Sequence, residues 1–155
     1  REQLDDETVA WLGNLPRTAQ YAGVEVVHAS HVFKPDWHYV VDSRSVMANF
    51  LFQRTSISFN GHTHLPLMAL HHRGRKPKLL MLRDIVLPPN HRFLINVGSV
   101  GQPRDRNPHA AFVTFETRDR EVALHRVPYD IDAVQKRIEQ AGLPQNCAAR
   151  LAEGR

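Results

Sequence analysis

Apolar positions in the first third of the chain follow two rhythms. Behind acidic residues suited to a first helical turn, the segment Asp5 to Leu15 sets Val9, Leu12 and Leu15 at helical spacing, and Pro16 ends it. This predicts an amphipathic helix. After Gly23 the β-branched run Val24-Glu25-Val26-Val27-His28-Ala29-Ser30 reads as a short buried strand with a polar tip, which puts His28 at its C-terminal end. Pro35-Asp36-Trp37 interrupts the next stretch, and Ser43 is placed to cap a second helix through Val46, Phe50 and Leu51. Ser56 to Phe59 gives another short strand, followed at once by Asn60-Gly61-His62-Thr63-His64 and Pro66.

From Leu67 the apolar residues come in strand-sized pieces divided by turn residues: Leu67 to His72, Leu79 to Leu82, Ile85 to Leu87, Phe93 to Asn96, Ala110 to Phe115 and Val122 to Val127. That pattern predicts a meander of antiparallel hairpins. Asp130 or Asp132 can open a helix with Val134 and Ile138 on one face, and Gly142-Leu143-Pro144 separates it from a last helical stretch. The whole therefore reads as α/β, with an open sheet and outer helices first and an antiparallel part second, in one domain spanning 1–155. Both histidine groups follow strands, where open α/β sheets place their ligands.

Composition narrows the picture. With 42% hydrophobic residues in 155, the chain can bury a core. No apolar run approaches the roughly 20 residues that span a bilayer, and the first residues lack the pattern of a signal peptide, so a cytoplasmic location without membrane contact is expected. Cys147 is the only cysteine, which rules out an internal disulfide and a thiolate metal cluster. The net charge of +4 raises nucleic-acid binding driven by charge as a rival function. Its basic residues are dispersed, however, and the one dense run, Arg73-Gly74-Arg75-Lys76-Pro77-Lys78, has the Gly and Pro of a solvated turn without aromatic platforms. This argues against a nucleic-acid partner.

Ten histidines direct attention to metal chemistry. Neutral imidazoles ligate Zn, Mn, Fe or Ni, and the spacing His62-Thr63-His64 lets two of them converge from one turn. Chance alone would give roughly 0.6 such pairs in this composition, so the flanks decide its weight: Gly61 permits a sharp turn, Pro66 fixes the exit, and Ile57 to Phe59 forms an apolar strand before it.

The string Gly61-His62-Thr63-His64-Leu65-Pro66 resembles the Gly-His-Thr-His motif of calcineurin-like metallophosphoesterases. Asn96-Val97-Gly98-Ser99-Val100-Gly101-Gln102-Pro103-Arg104-Asp105 resembles the Gly-Ser-Val-Gly-Gln-Pro-Arg loop of their small bacterial and archaeal branch, and Val27-His28-Ala29-Ser30 is similar to their preceding metal-histidine motif. The resemblance implies the C-terminal half of a four-layer α/β/β/α sandwich, with a mixed sheet, an antiparallel meander and flanking helices. It implies metal-dependent hydrolysis of a phosphomonoester or phosphodiester, with a small phosphate ester or nucleotide as substrate and two divalent ions, Mn, Fe, Zn or Ni, about 3.5–4 Å apart. His28 and His62 would ligate one ion and His64 the other, and Arg104 would contact phosphate, its planar guanidinium matching phosphate oxygens. Asp105 would either hold Arg104 in a surface pair or take a catalytic part itself.

The departures carry equal weight. The family's Asp-x-His, Gly-Asp-x-x-Asp and Gly-Asn-His-Asp/Glu motifs do not occur, so the bridging carboxylate, the Asn ligand and a further histidine are lacking. A partial sequence is expected from this, with poor metal affinity and self-association through an uncovered sheet edge and apolar surface. The alternative function is a non-catalytic binding or scaffold protein that retains the fold. The seven remaining histidines, His31, His38, His71, His72, His91, His109 and His125, are expected in surface or core roles, with His109 near the cleft. Trp11 and Trp37 are expected to pack, Trp37 close enough to His28 to wall a pocket.

Overall fold

The computed structural model describes residues 4–32 and 37–155. In chain order it contains α1 (Asp6–Gly13), β1 (Thr18–Tyr21), β2 (Val24–Val27), α2 (Ser43–Phe52), β3 (Ile57–Asn60), β4 (Pro66–His71) and β5 (Lys78–Met81). It continues with β6 (Ile85–Val86), β7 (Arg92–Val97), β8 (Ala110–Glu116), β9 (Glu121–Val127), α3 (Ile131–Gln140) and α4 (Gln145–Glu153). Of the expected Pro35-Asp36-Trp37 interruption, Pro35 and Asp36 lie outside the described residues.

A six-stranded mixed sheet has the order β1-β2-β3-β7-β4-β5, and a three-stranded sheet has the order β6-β9-β8. Strands β2, β3 and β7 run parallel, while β1, β4 and β5 pair antiparallel with their neighbours. The second half is therefore not the simple meander that its short strands suggest. Hairpins β4–β5 and β8–β9 form as expected, but β7 returns between β3 and β4, and β6 crosses to the other sheet. The reason lies in β7 itself: Phe93-Leu94-Ile95 is apolar without alternation and buried on both faces, so it belongs at the centre of a sheet.

Two layers of core flank that strand. On one face Phe93, Ile95, Ile57 and Met68 pack with Leu82, Leu87 and Val122 against the smaller sheet. On the other, Leu94 and Ala69 pack under Val46 and Phe50 of α2. Helix α2 is capped one residue earlier than the sequence suggests: the Asp42 carboxylate accepts from Ser45 N, and Ser45 Oγ reaches back to Asp42 N. Val46 and Phe50 are buried, whereas Leu51 points outward at 75% exposure. At the far end of α2, the Arg92 guanidinium donates to the carbonyls of Phe50 and Gln53, satisfying groups that the helix cannot.

Helix α1 forms where predicted, with the Asp5 carboxylate accepting from Thr8 N. Its stripe is not covered, however, and Trp11, Leu12 and Leu15 are 61%, 46% and 49% exposed, so Trp11 does not pack as expected. Strand β1 carries no sequence signal. It is an exposed edge strand joined to β2 by Ala22 and Gly23, both at positive φ. Between the two candidate caps of α3 the structure uses Asp130, which accepts from Ala133 N. Arg73 to Pro77 form the exposed β4–β5 turn, with Gly74 at positive φ. Among the described residues no helix is long and apolar enough to cross a membrane.

Candidate metal-histidine site

His28 is the first residue after β2, and Gly61-His62-Thr63-His64 follows β3, so neighbouring parallel strands deliver both turns to the same end of the sheet. The turns are joined directly, Gly61 N donating to His28 O at 2.9 Å. The sharp bend is not made by Gly61. His62 and His64 adopt it themselves, at φ 68° and 61°, a left-handed conformation uncommon for side-chain-bearing residues. Buried Thr63 lies between them, its N–H bonded to Gly61 O.

What holds this turn is Asn96, at the end of β7. Its amide donates to Gly61 O at 2.6 Å and to Thr63 Oγ1 at 2.8 Å, while its carbonyl oxygen accepts from Gly98 N at 3.1 Å. One buried side chain therefore ties the Gly-His-Thr-His turn to the glycine-rich loop. Sequence reasoning gave Asn96 no role; the only signal was a polar residue closing an otherwise apolar strand.

The His28 and His62 rings stand 5.3 Å apart at 66°. Trp37 packs edge-on against His28 at 5.3 Å, and Tyr39 stacks on His62 at 4.7 Å. Two backbone carbonyls accept from these rings and so select the tautomer of each neutral form. His62 Nε2 donates to Trp37 O at 3.1 Å, which leaves the lone pair on Nδ1. His64 Nδ1 donates to Gln102 O at 2.8 Å, which leaves it on Nε2. Burial lowers the pKa of His28, and the nearby His62 lowers it further. Burial also lowers that of His64; its bond to Gln102 opposes the shift, and Arg104, His62 and His28 reinforce it. These shifts favour the neutral, ligand-competent form.

Arg104 lies beside His64 through the backbone, its N–H donating to His64 O at 3.1 Å, and its guanidinium donates to Gln102 Oε1 at 3.0 Å. Asp105 does not hold Arg104. Its carboxylate pairs with Arg126 on β9, which comes closer because β8 and β9 run past the loop. His109 is exposed beyond this loop, and its carbonyl accepts from Arg126. Five of the other histidines lie elsewhere. His31 is buried between Ser58 and Asn49, His71 stacks on Phe50, His72 pairs with His91, and His125 bonds Thr114.

The donors near the turns suit a divalent metal in type but not in number. Among the described residues there is no group of three or more His, Cys, Asp or Glu side chains that could hold an ion. His28 and His62 form a pair, His64 faces the same region from the next turn, and the hydrogen bonds and ring contacts that hold them involve no carboxylate.

No family model matches the chain. A metallophosphoesterase of solved structure from Sphaerobacter thermophilus is 34% identical and aligns with a TM-score of 0.87, over 99% of this chain and 64% of its own. The chain has the calcineurin-like metallophosphoesterase fold. This bears out the resemblance drawn from Gly61 to Pro66 and Asn96 to Asp105. The same metallophosphoesterase fold is shared with a hypothetical protein from Pyrococcus horikoshii, at a TM-score of 0.71 and 19% identity, over 99% of this chain and 57% of that one. An uncharacterized protein of Methanocaldococcus jannaschii is 29% identical over 160 residues, which cover all of this chain and 63% of that protein. The chain thus spans somewhat less than two thirds of the length of these relatives.

Proposed function

We propose that this chain supplies the histidine side of a metal-dependent phosphoesterase centre acting on a phosphomonoester or phosphodiester. The observation that carries the reading is the pairing of His28 and His62 across adjacent strand ends, with His64 held in the tautomer that leaves Nε2 free. His28, Nδ1 of His62 and Nε2 of His64 are the atoms that would hold divalent ions, which supply Lewis acidity and an activated hydroxide when bound. Arg104 would bind a phosphate oxygen, its guanidinium kept in place by Gln102. Because these rings alone do not make a ligand set, the reading requires further donors in addition to them.

The test is hydrolysis of p-nitrophenyl phosphate by the native full-length protein with manganese. His64→Ala should remove almost all turnover, and full activity in that variant would sink the assignment. A second reading, a binding or scaffold protein that keeps the fold without turnover, is favoured by the absence, among the described residues, of a group of three or more donors that could hold an ion together. It predicts phosphate-ester binding with no hydrolysis under any metal supplied.

A further inference from the structure

A cavity of about 520 Å³ is lined by Arg104, Asn146, Ala149, Arg150 and Arg155, and Arg104 links it to the histidine turn, its N–H donating to His64 O. Its guanidinium groups come from two distant parts of the sequence, the glycine-rich loop and α4, and no carboxylate lines it. Arg155 is paired with Glu153, so Arg104 and Arg150 are the cations available to a ligand.

Their relative position is fixed by backbone. Arg106 N donates to Gly154 O at 2.9 Å, and Gly154 takes φ 62° at the end of α4. A Cβ at Gly154 would lie 2.7 Å from Asn107 N, so the helix end is seated directly on the segment that follows Arg104. Arg150 is one turn earlier on the same helix. Arg104 in turn is joined to the histidine turn twice, through its own N–H to His64 O and through Gln102, which accepts from both the Arg104 guanidinium and His64 Nδ1.

We infer that Arg150 of α4 and Arg104 form an anion subsite next to the histidine centre, which would take a second phosphate group of a phosphate ester. Guanidinium forks bind phosphate oxygens two at a time, and a cavity this large exceeds the need of one phosphoryl group. The assignment to a substrate rests on the phosphoesterase reading, whereas the anion site stands on the geometry alone.

The test is calorimetric titration of inorganic pyrophosphate into the protein with a chelator present, so that no metal contributes. Saturable binding is expected, weakened about tenfold by Arg150→Gln, an exposed position whose loss leaves the core untouched. The paired variant Arg75→Gln/Lys76→Gln, in the distant β4–β5 turn, should titrate like the parent. His62→Ala should also keep pyrophosphate binding while losing metal uptake. The inference is overturned if the parent shows no saturable binding, if Arg150→Gln is unaffected, or if the turn variant weakens binding equally. If Arg150→Gln behaves as expected but His62→Ala leaves metal uptake unchanged, the phosphoesterase reading fails and the anion site stands.

Discussion

Replacing Asn96 by Ala should loosen both functional turns at once. The side chain is 3% exposed and makes three hydrogen bonds, to Gly61 O, Thr63 Oγ1 and Gly98 N. Each contributes about 1 kcal/mol net, so their loss costs about 3 kcal/mol, and the stranded Gly98 N–H and Gly61 carbonyl raise that toward about 5 kcal/mol. For a chain of this length the lower figure corresponds to a fall in Tm of about 6–12 °C. Urea unfolding followed by tryptophan fluorescence would give the free energy, with an unchanged slope showing that the unfolded state is unaltered. Nitrogen-15 chemical shifts of His62 and His64 would report the tautomers directly. Asn96→Asp keeps the acceptor for Gly98 and removes the two donors, so it separates the loop contact from the turn contacts. A loss below about 1 kcal/mol, or unchanged imidazole shifts in a destabilised variant, would refute the idea that this amide fastens the turn.

Three further outcomes follow from the packing. Gly98→Ala should cost about 2–4 kcal/mol, because Gly98 has φ 78° and the new Cβ would lie 2.9 Å from Ala111 Cβ; adding Ala111→Gly should restore the steric part and leave the torsional part in the denaturation midpoint. Arg92→Met should cost about 2 kcal/mol in urea unfolding by stripping the last carbonyls of α2 of their donor. The pKa of buried His31 is lowered from its ordinary 6.5 by burial, with Glu25 opposing and Arg92 assisting. Below that ordinary value the unfolded chain binds the proton that the folded chain resists, so stability should fall as pH drops through about 6.5 and level off below the folded value. Urea midpoints at about pH 5 and 7.5 should show this fall, and His31→Asn should reduce it, leaving the part that His28 and His64 contribute through their own lowered values.

Much of the site was readable because its chemistry is local. A short apolar strand followed by Gly-His-Thr-His places two rings whatever the rest of the fold does, and His28 sits at a strand end marked by its β-branched run. What escaped was non-local or unburied. The parallel pairing of β7 with β3 joins segments far apart in sequence, and period-2 patterning says nothing about which strands become neighbours. Strand β1 buries no residue, so Thr18 to Tyr21 carries no apolar rhythm to detect. The stripe on α1 was legible as a pattern, but the pattern cannot say whether a partner surface covers it, and Trp11 lies open. Asp105 was paired with its chain neighbour by proximity alone, whereas the sheet brings Arg126 closer.

Side-by-side parallel strands stand roughly 4.8 Å apart, and the two imidazoles that cap β2 and β3 are separated by 5.3 Å. The two rings thus sit at about the spacing of the strands that carry their turns. The surrounding surface can drift in sequence without disturbing that arrangement, because the parallel pairing of β2 with β3 keeps the two turns side by side.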